Sequence, residues 1–197
     1  MGDPTIRPIV VAGFGRCVST MAMHMLRAGG IPWVPGTHEV SGEQTLPVQF
    51  MAGYASKHLF TNVDHVRSVH WWPRVTVLWC SRAPREQARS GLKFAEGFGI
   101  PFPRISVSSL ARQIEQWERE AAAFLVDSGA QLAHLDFDNA LRDPVLASRM
   151  LADRLGLYVG AELDMRAMAS VIHRRSPRCL PDLAYEMSRL TSPKDTP

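Results

Sequence analysis

The feature that most constrains this chain lies near its start, Ile9 to Gly30, IVVAGFGRCVSTMAMHMLRAGG. Ile9, Val10, Val11 and Ala12 form an apolar run rich in β-branched residues, which suits a strand buried in a parallel sheet. Gly13 and Gly15 supply backbone freedom for a tight turn. Ser19 or Thr20 is placed to cap a helix, Met21 to Leu26 favour helix, and Gly29 or Gly30 stops it. The first N–H groups of a helix lack internal partners and its dipole is positive there, so strand, turn and helix in this order make an anion site. Many such units bind nothing. Arg16 beside the hydroxyls of Ser19 and Thr20 is what points to a phosphate here.

Better-known motifs with this placement fail on particular residues. The nucleoside triphosphatase loop needs Gly and Lys where the chain has Val18 and Ser19. The dinucleotide fingerprint fits Gly13 and Gly15 but meets Val18 at its third glycine. No acid follows at the right distance: the region reads Trp33, Val34, Pro35, with Glu39 beyond a Pro-Gly turn. A Cys-x5-Arg phosphate loop starting at Cys17 meets Met23 where Arg is required.

At 197 residues, 46% hydrophobic and 21% charged, the chain has ordinary globular composition and is expected to form one domain over 1–191, with a disordered tail over 192–197. A formal charge of only +3 argues against a general nucleic-acid role, and a pI near 9.0 fits a modest cationic site for a small anion. Cys17, Cys80 and Cys179 are far apart and lack metal spacing, which points to a reducing compartment and no metal site. With no apolar run near membrane-span length and no secretion signal, the expectation is a cytoplasmic protein without a membrane partner. The oligomeric state is left open, a homodimer included.

Further along, Ile31 to Val34 is expected as the second strand, Pro35 to Gln44 as a loop over the site, and Thr45 to Ala55 as a short helix. Lys57 to Phe60 reads as a strand or strand end. Asn62 or Asp64 can cap a helical turn to Val69. Val75 to Cys80 is the second clear strand, Ala83 to Phe94 a helix and Ala95 to Pro103 a loop. Ser108 or Ser109 can cap a long helix to Val126, with Leu110, Ile114, Trp117, Ala121, Phe124 and Leu125 on its apolar face. Gln131 to Leu135 is a strand, and Pro144 to Leu155 a helix stopped by Gly156. Strands alternating with helices predict an α/β three-layer sandwich with a mostly parallel central sheet.

A second anion site follows from Val75 to Phe94, VTVLWCSRAPREQARSGLKF. A buried strand delivers Arg82 at its carboxyl end, where ligands of open α/β sheets bind, and Ser90 comes eight residues later on a helix. Two anion sites on one sheet edge suit a ligand with phosphates at two ends. Here the chain resembles the sulfotransferases that use 3′-phosphoadenosine 5′-phosphosulfate (PAPS). Gly13, Phe14, Gly15, Arg16, Cys17, Val18, Ser19 and Thr20 stand in the register of that family's 5′-phosphosulfate loop. Gly15, Cys17 and Val18 replace its usual Pro, Ser and Gly. Arg82 and Ser90 match the family's 3′-phosphate pair in type and spacing. His134 to Leu157, HLDFDNALRDPVLASRMLADRLGL, is similar to its late strand, acidic loop, Asp-Pro and helix.

The resemblance implies a P-loop-like fold and transfer of a sulfuryl group from PAPS to a hydroxyl or amine of a small-molecule acceptor, leaving 3′-phosphoadenosine 5′-phosphate (PAP). It implies that Gly15, Arg16, Cys17, Val18, Ser19, Thr20, Arg82 and Ser90 bind the cofactor. Arg174 and Arg175 are placed to replace the family's late glycine-rich basic loop, although a solvated basic turn explains them equally well. Catalysis falls to Arg16, to Lys57 at the leaving oxygen and to His58 as base, by similarity to a Lys-x-His element. His38, Glu39 and Glu43 are rival bases. Three other readings stay open: a non-catalytic binding or scaffold protein of this fold, a kinase-like phosphotransferase and a dinucleotide oxidoreductase.

Overall fold

The computed structural model describes residues 7–34, 52–97, 99, 105–159 and 162–172. Four strands form one sheet in the order β2-β1-β3-β4: β1 (Ile9–Phe14), β2 (Ala55–Phe60), β3 (Thr76–Ser81) and β4 (Gln131–Asp136). Every pair is parallel, and every residue of β1 is buried. This is the outcome expected of a continuous apolar run flanked by strands on both edges and helices on both faces. Helices α1 (Ser19–Ala28), α2 (Val63–Arg67), α3 (Pro84–Gly97), α4 (Val107–Asp127), α5 (Phe137–Arg142), α6 (Pro144–Val159) and α7 (Met165–Ser170) complete the order.

Alternation along the strands separates two cores. Ile9, Val11, Leu78, Cys80, Ala133 and Leu135 pack with Met25 and Leu26 of α1, Leu155 of α6 and Met168 of α7. On the other face Val10, Ala12, Phe14, Phe60, Val77 and Trp79 pack with Val66 of α2, Trp72, and Ala121 and Leu125 of α4. Ala88 of α3 meets Leu110 and Ile114 of α4 in a third cluster.

Several local expectations change. Ile31 to Val34 is no strand: it makes a single parallel bridge, Trp33 to Ala55, beside Pro32, which has no N–H to extend a ladder. Ala55 opens β2 and ends no helix, while Pro35 to Gln44 and Thr45 to Met51 lie outside the described residues. Helix α4 starts two or three residues earlier than the sequence predicts, because Ser106 Oγ accepts from the N–H of Ser109 at 3.1 Å. Asn62 caps α2 as expected, accepting from His65 N at 2.9 Å. The acidic loop after β4 is helix α5, capped by Asp136. Helix α6 runs through Gly156 to Val159, since one interior glycine costs only about 1 kcal/mol.

Candidate active site

The turn after β1 is built by close approach. Gly13 has φ +155°, and a Cβ there would stand 2.5 Å from both Cys17 Sγ and the Cys80 carbonyl oxygen, so no side chain fits. Cys17 N–H donates to Phe14 O at 3.1 Å and closes the turn. Positive φ then falls on Arg16 (+69°) and Val18 (+67°), not on Gly15. Val18 is the N-cap residue of α1, and its side chain makes no capping hydrogen bond. Neither Ser19 nor Thr20 serves as the cap; Ser19 is already the first helical residue. The amino end of α1 is therefore not capped by the side chain of its N-cap residue, although the Cys17 sulfur hydrogen-bonds the Ser19 backbone, and an uncapped helix amino end favours a bound anion.

Two cations reach this turn from separate elements. Arg16 Nε donates to Ser90 Oγ of α3 at 3.2 Å, and its guanidinium lies 4.9 Å from the centre of the Phe94 ring. Lys57 of β2 donates through Nζ to Thr20 Oγ1 at 3.3 Å, with the residue only 4% exposed. Gln87 adds a contact that sequence reasoning missed: its Nε2 donates to Phe14 O at 3.2 Å and Gly15 O at 3.0 Å. Gln87, Ser90 and Phe94 follow at helical spacing, so one face of α3 grips the turn. That spacing was the available signal, since Gln87 sits one turn before a residue already read as a ligand.

The remaining expected residues are dispersed. Cys17 points its thiol into the core, and burial pushes its pKa up to about 12. The thiol is neutral and packs under the turn, hydrogen-bonded to the backbone and side chain of Ser19. Among the described residues Ser90 meets Arg16 and not Arg82. Arg82 lies with its guanidinium 5.1 Å from the Phe137 ring centre, and its Nε is closed off without a hydrogen-bond partner. It stands beside a cleft of about 620 Å³ that Trp79, Glu118 and His134 also line. Arg174, Arg175, His38, Glu39 and Glu43 lie outside the described residues.

Lys57 and His58 are adjacent on one strand and so point to opposite faces. Lys57 turns to α1, whereas His58 packs against Phe60 (4.5 Å between ring centres), His65 (5.6 Å) and Trp71 (5.8 Å). It is 4% exposed and both ring nitrogens are closed off without hydrogen-bond partners. Burial, then the neighbouring His65, lowers its pKa to about 4, so the ring is neutral at physiological pH.

No protein-family model matches the chain, and no curated protein matches it in sequence. Solved structures do match in shape. One is a sulfotransferase from Alicyclobacillus acidocaldarius, with TM-score 0.51 at 13% identity, over 96% of this chain and 92% of that one. Another is retinol dehydratase in complex with retinol and PAP, with TM-score 0.51 at 13% identity over 86% of this chain. A third is retinol dehydratase with androsterone and the inactive cofactor PAP, with TM-score 0.50 at 13% identity over 87% of this chain. The chain spans 65% and 64% of the length of those two dehydratase chains. At this identity the likeness defines the fold, which is α/β and sulfotransferase-like. Among the described residues no helix is long and apolar enough to cross a membrane.

Proposed function

We propose that this protein is a sulfotransferase that moves a sulfuryl group from PAPS to a hydroxyl or amine of a small acceptor. The observation that carries the reading is the contact from Arg16 Nε to Ser90 Oγ at 3.2 Å. It joins the two anion motifs at the uncapped amino end of α1. Bound PAPS would supply the transferable group and both phosphates. The backbone N–H groups at the start of α1, with Arg16, Ser19 and Thr20, would hold the 5′-phosphate. Ser90 and Arg82, and by resemblance Arg174 and Arg175, would hold the 3′-phosphate.

Fixed cations aimed at developing charge are the main resource of such a site. Arg16 and Lys57 are fixed in this way, each hydrogen-bonded to a hydroxyl of another element. In this reading His58 packs behind β2 and takes no proton, and Lys57 alone of the pair serves the reacting centre. A second reading, a PAP-binding protein without turnover, is favoured by Val18. It places a branched side chain in left-handed backbone at the mouth of the anion site.

Thermal unfolding with PAP, beside ADP, ATP and NADH, tests the assignment. A ligand at 100 times its Kd stabilises by ~2.7 kcal/mol, here roughly 5–10 °C of midpoint. A shift with PAP that is much smaller with ADP is expected, because the 3′-phosphate is read. No shift at millimolar PAP overturns the reading. Release of PAP from PAPS over a panel of phenols, alcohols and amines separates enzyme from binding protein.

A further inference from the structure

We propose that Gln87 is a positioning residue for the anion site, holding the peptide groups of the turn so that their N–H bonds face a bound phosphate. The inference rests on the anion-binding reading of the turn and deepens it. A trans peptide points its C=O and the following N–H in opposite directions. Gln87 Nε2 draws the carbonyls of Phe14 and Gly15 to one side, at 3.2 and 3.0 Å. The N–H groups of Gly15 and Arg16 are thereby directed to the other side, away from α3. One amide thus orients two successive peptide planes just before the residues that take left-handed backbone.

The cost at Gln87 supports this role. The residue is 1% exposed, and its Oε1 is closed off without a hydrogen-bond partner. A buried polar atom without a partner is destabilising. A side chain of similar volume with no polar atoms would avoid that penalty in a helix whose other buried residues are Ala88 and Ala95. What the amide adds is the pair of bonds to the turn. Because Gln87 and Ser90 share α3, the same helix sets the turn and presents the hydroxyl that meets Arg16.

The test compares Gln87→Met and Gln87→Glu with the unaltered protein, using PAP and inorganic pyrophosphate as probes. Gln87→Met keeps the volume and removes both bonds. Its unfolding midpoint is expected to stay within a few degrees, while both anions bind about tenfold more weakly. Gln87→Glu gives a readout that packing alone would not move. Ionised, its carboxylate repels both carbonyls; protonated, its O–H can donate to one of them, and burial raises its pKa. Its affinity relative to the unaltered protein should fall as pH rises from 6 to 8.5. Binding of either anion by Gln87→Met within twofold of the unaltered protein overturns the proposal. If the unaltered protein binds pyrophosphate but not PAP, the sulfotransferase reading fails while the pyrophosphate ratios still decide on Gln87. If it binds neither, both fall together.

Discussion

The two faces of the sheet use polar residues in opposite ways. On the α1 face Lys57 is buried yet hydrogen-bonded to Thr20, and at the strand ends between the faces Arg16 is held by Ser90 and Phe94 of α3. On the α2 and α4 face the buried titratable groups lack part of their hydrogen bonding. His58 has no partner at either nitrogen, and Glu118 takes the Trp79 indole N–H at 2.6 Å on one oxygen while the other has none. Desolvation pushes both groups towards their neutral forms, His58 down to about 4 and Glu118 up to about 7, which leaves His58 neutral and Glu118 about half ionised at pH 7. Lys57 on the first face and Arg16 at the strand ends are each tied to a hydroxyl of another element, which under the proposed function presents them to a ligand. The second face packs its titratable groups and disfavours their charged forms, so under the proposed function they register in stability, not in binding.

The largest expected effect falls on the turn at the strand ends. Arg16→Ala should lower turnover by about 10²–10³-fold, roughly 3–4 kcal/mol, the usual loss of one preorganised donor at developing charge. The folding midpoint should change little. On the second face His58→Phe should leave turnover within about twofold. A comparable loss there, measured on the same acceptor, would return His58 to the role of base and erase the contrast between the faces.

Stability against pH separates the faces next. The folded-state pKa of His58 is lowered from 6.5 to about 4. Its contribution is therefore complete above pH 6.5 and is lost as pH falls towards 4, by up to about 3 kcal/mol. Denaturant titrations of His58→Phe should lack that part of the acid-side decline. Glu118 runs the other way. Its folded-state pKa is raised from 4.5 to about 7, so its contribution is complete below pH 4.5 and lost as pH rises through 7. Glu118→Gln retains an acceptor for Trp79 and should gain about 1–2 kcal/mol over the unaltered protein at pH 8, and little at pH 4. Parallel curves for the variant and the unaltered protein would show that Glu118 is solvated in solution.

Why the site was only partly legible follows from the same geometry. The strands β1 and β3 and the tight turn between β1 and α1 are legible because apolar runs and glycine carry local, backbone-level information. Arg82 and Ser90 were read as a pair from spacing along one segment. Which arginine meets Ser90, however, depends on how the turn from β1 is folded, and left-handed backbone at Arg16 brings that side chain across. Lys57 and His58 were read together from a resemblance, whereas strand alternation over Ala55–Phe60 separates them. Gln87 escaped notice because glutamine in a helix reads as a solvent-facing residue. Only the packed turn shows that its amide has two carbonyls to serve.

The smallest effect sharpens the account of the turn itself. Val18 holds φ +67°, a conformation that costs an L residue about 1–2 kcal/mol and suits β-branched side chains worst. Val18→Gly removes that strain, but the freer unfolded chain takes back about 0.4–1 kcal/mol. The net gain should be about 0.5–1 kcal/mol, a rise of roughly 1–4 °C in midpoint. Removing the isopropyl group also opens the amino end of α1, so PAP should bind no worse and the gain should persist in the complex. A midpoint that falls instead would mean that Val18 contributes more by packing than it loses in backbone strain. The turn would then be a rigid part of the fold, able to keep its shape without a ligand.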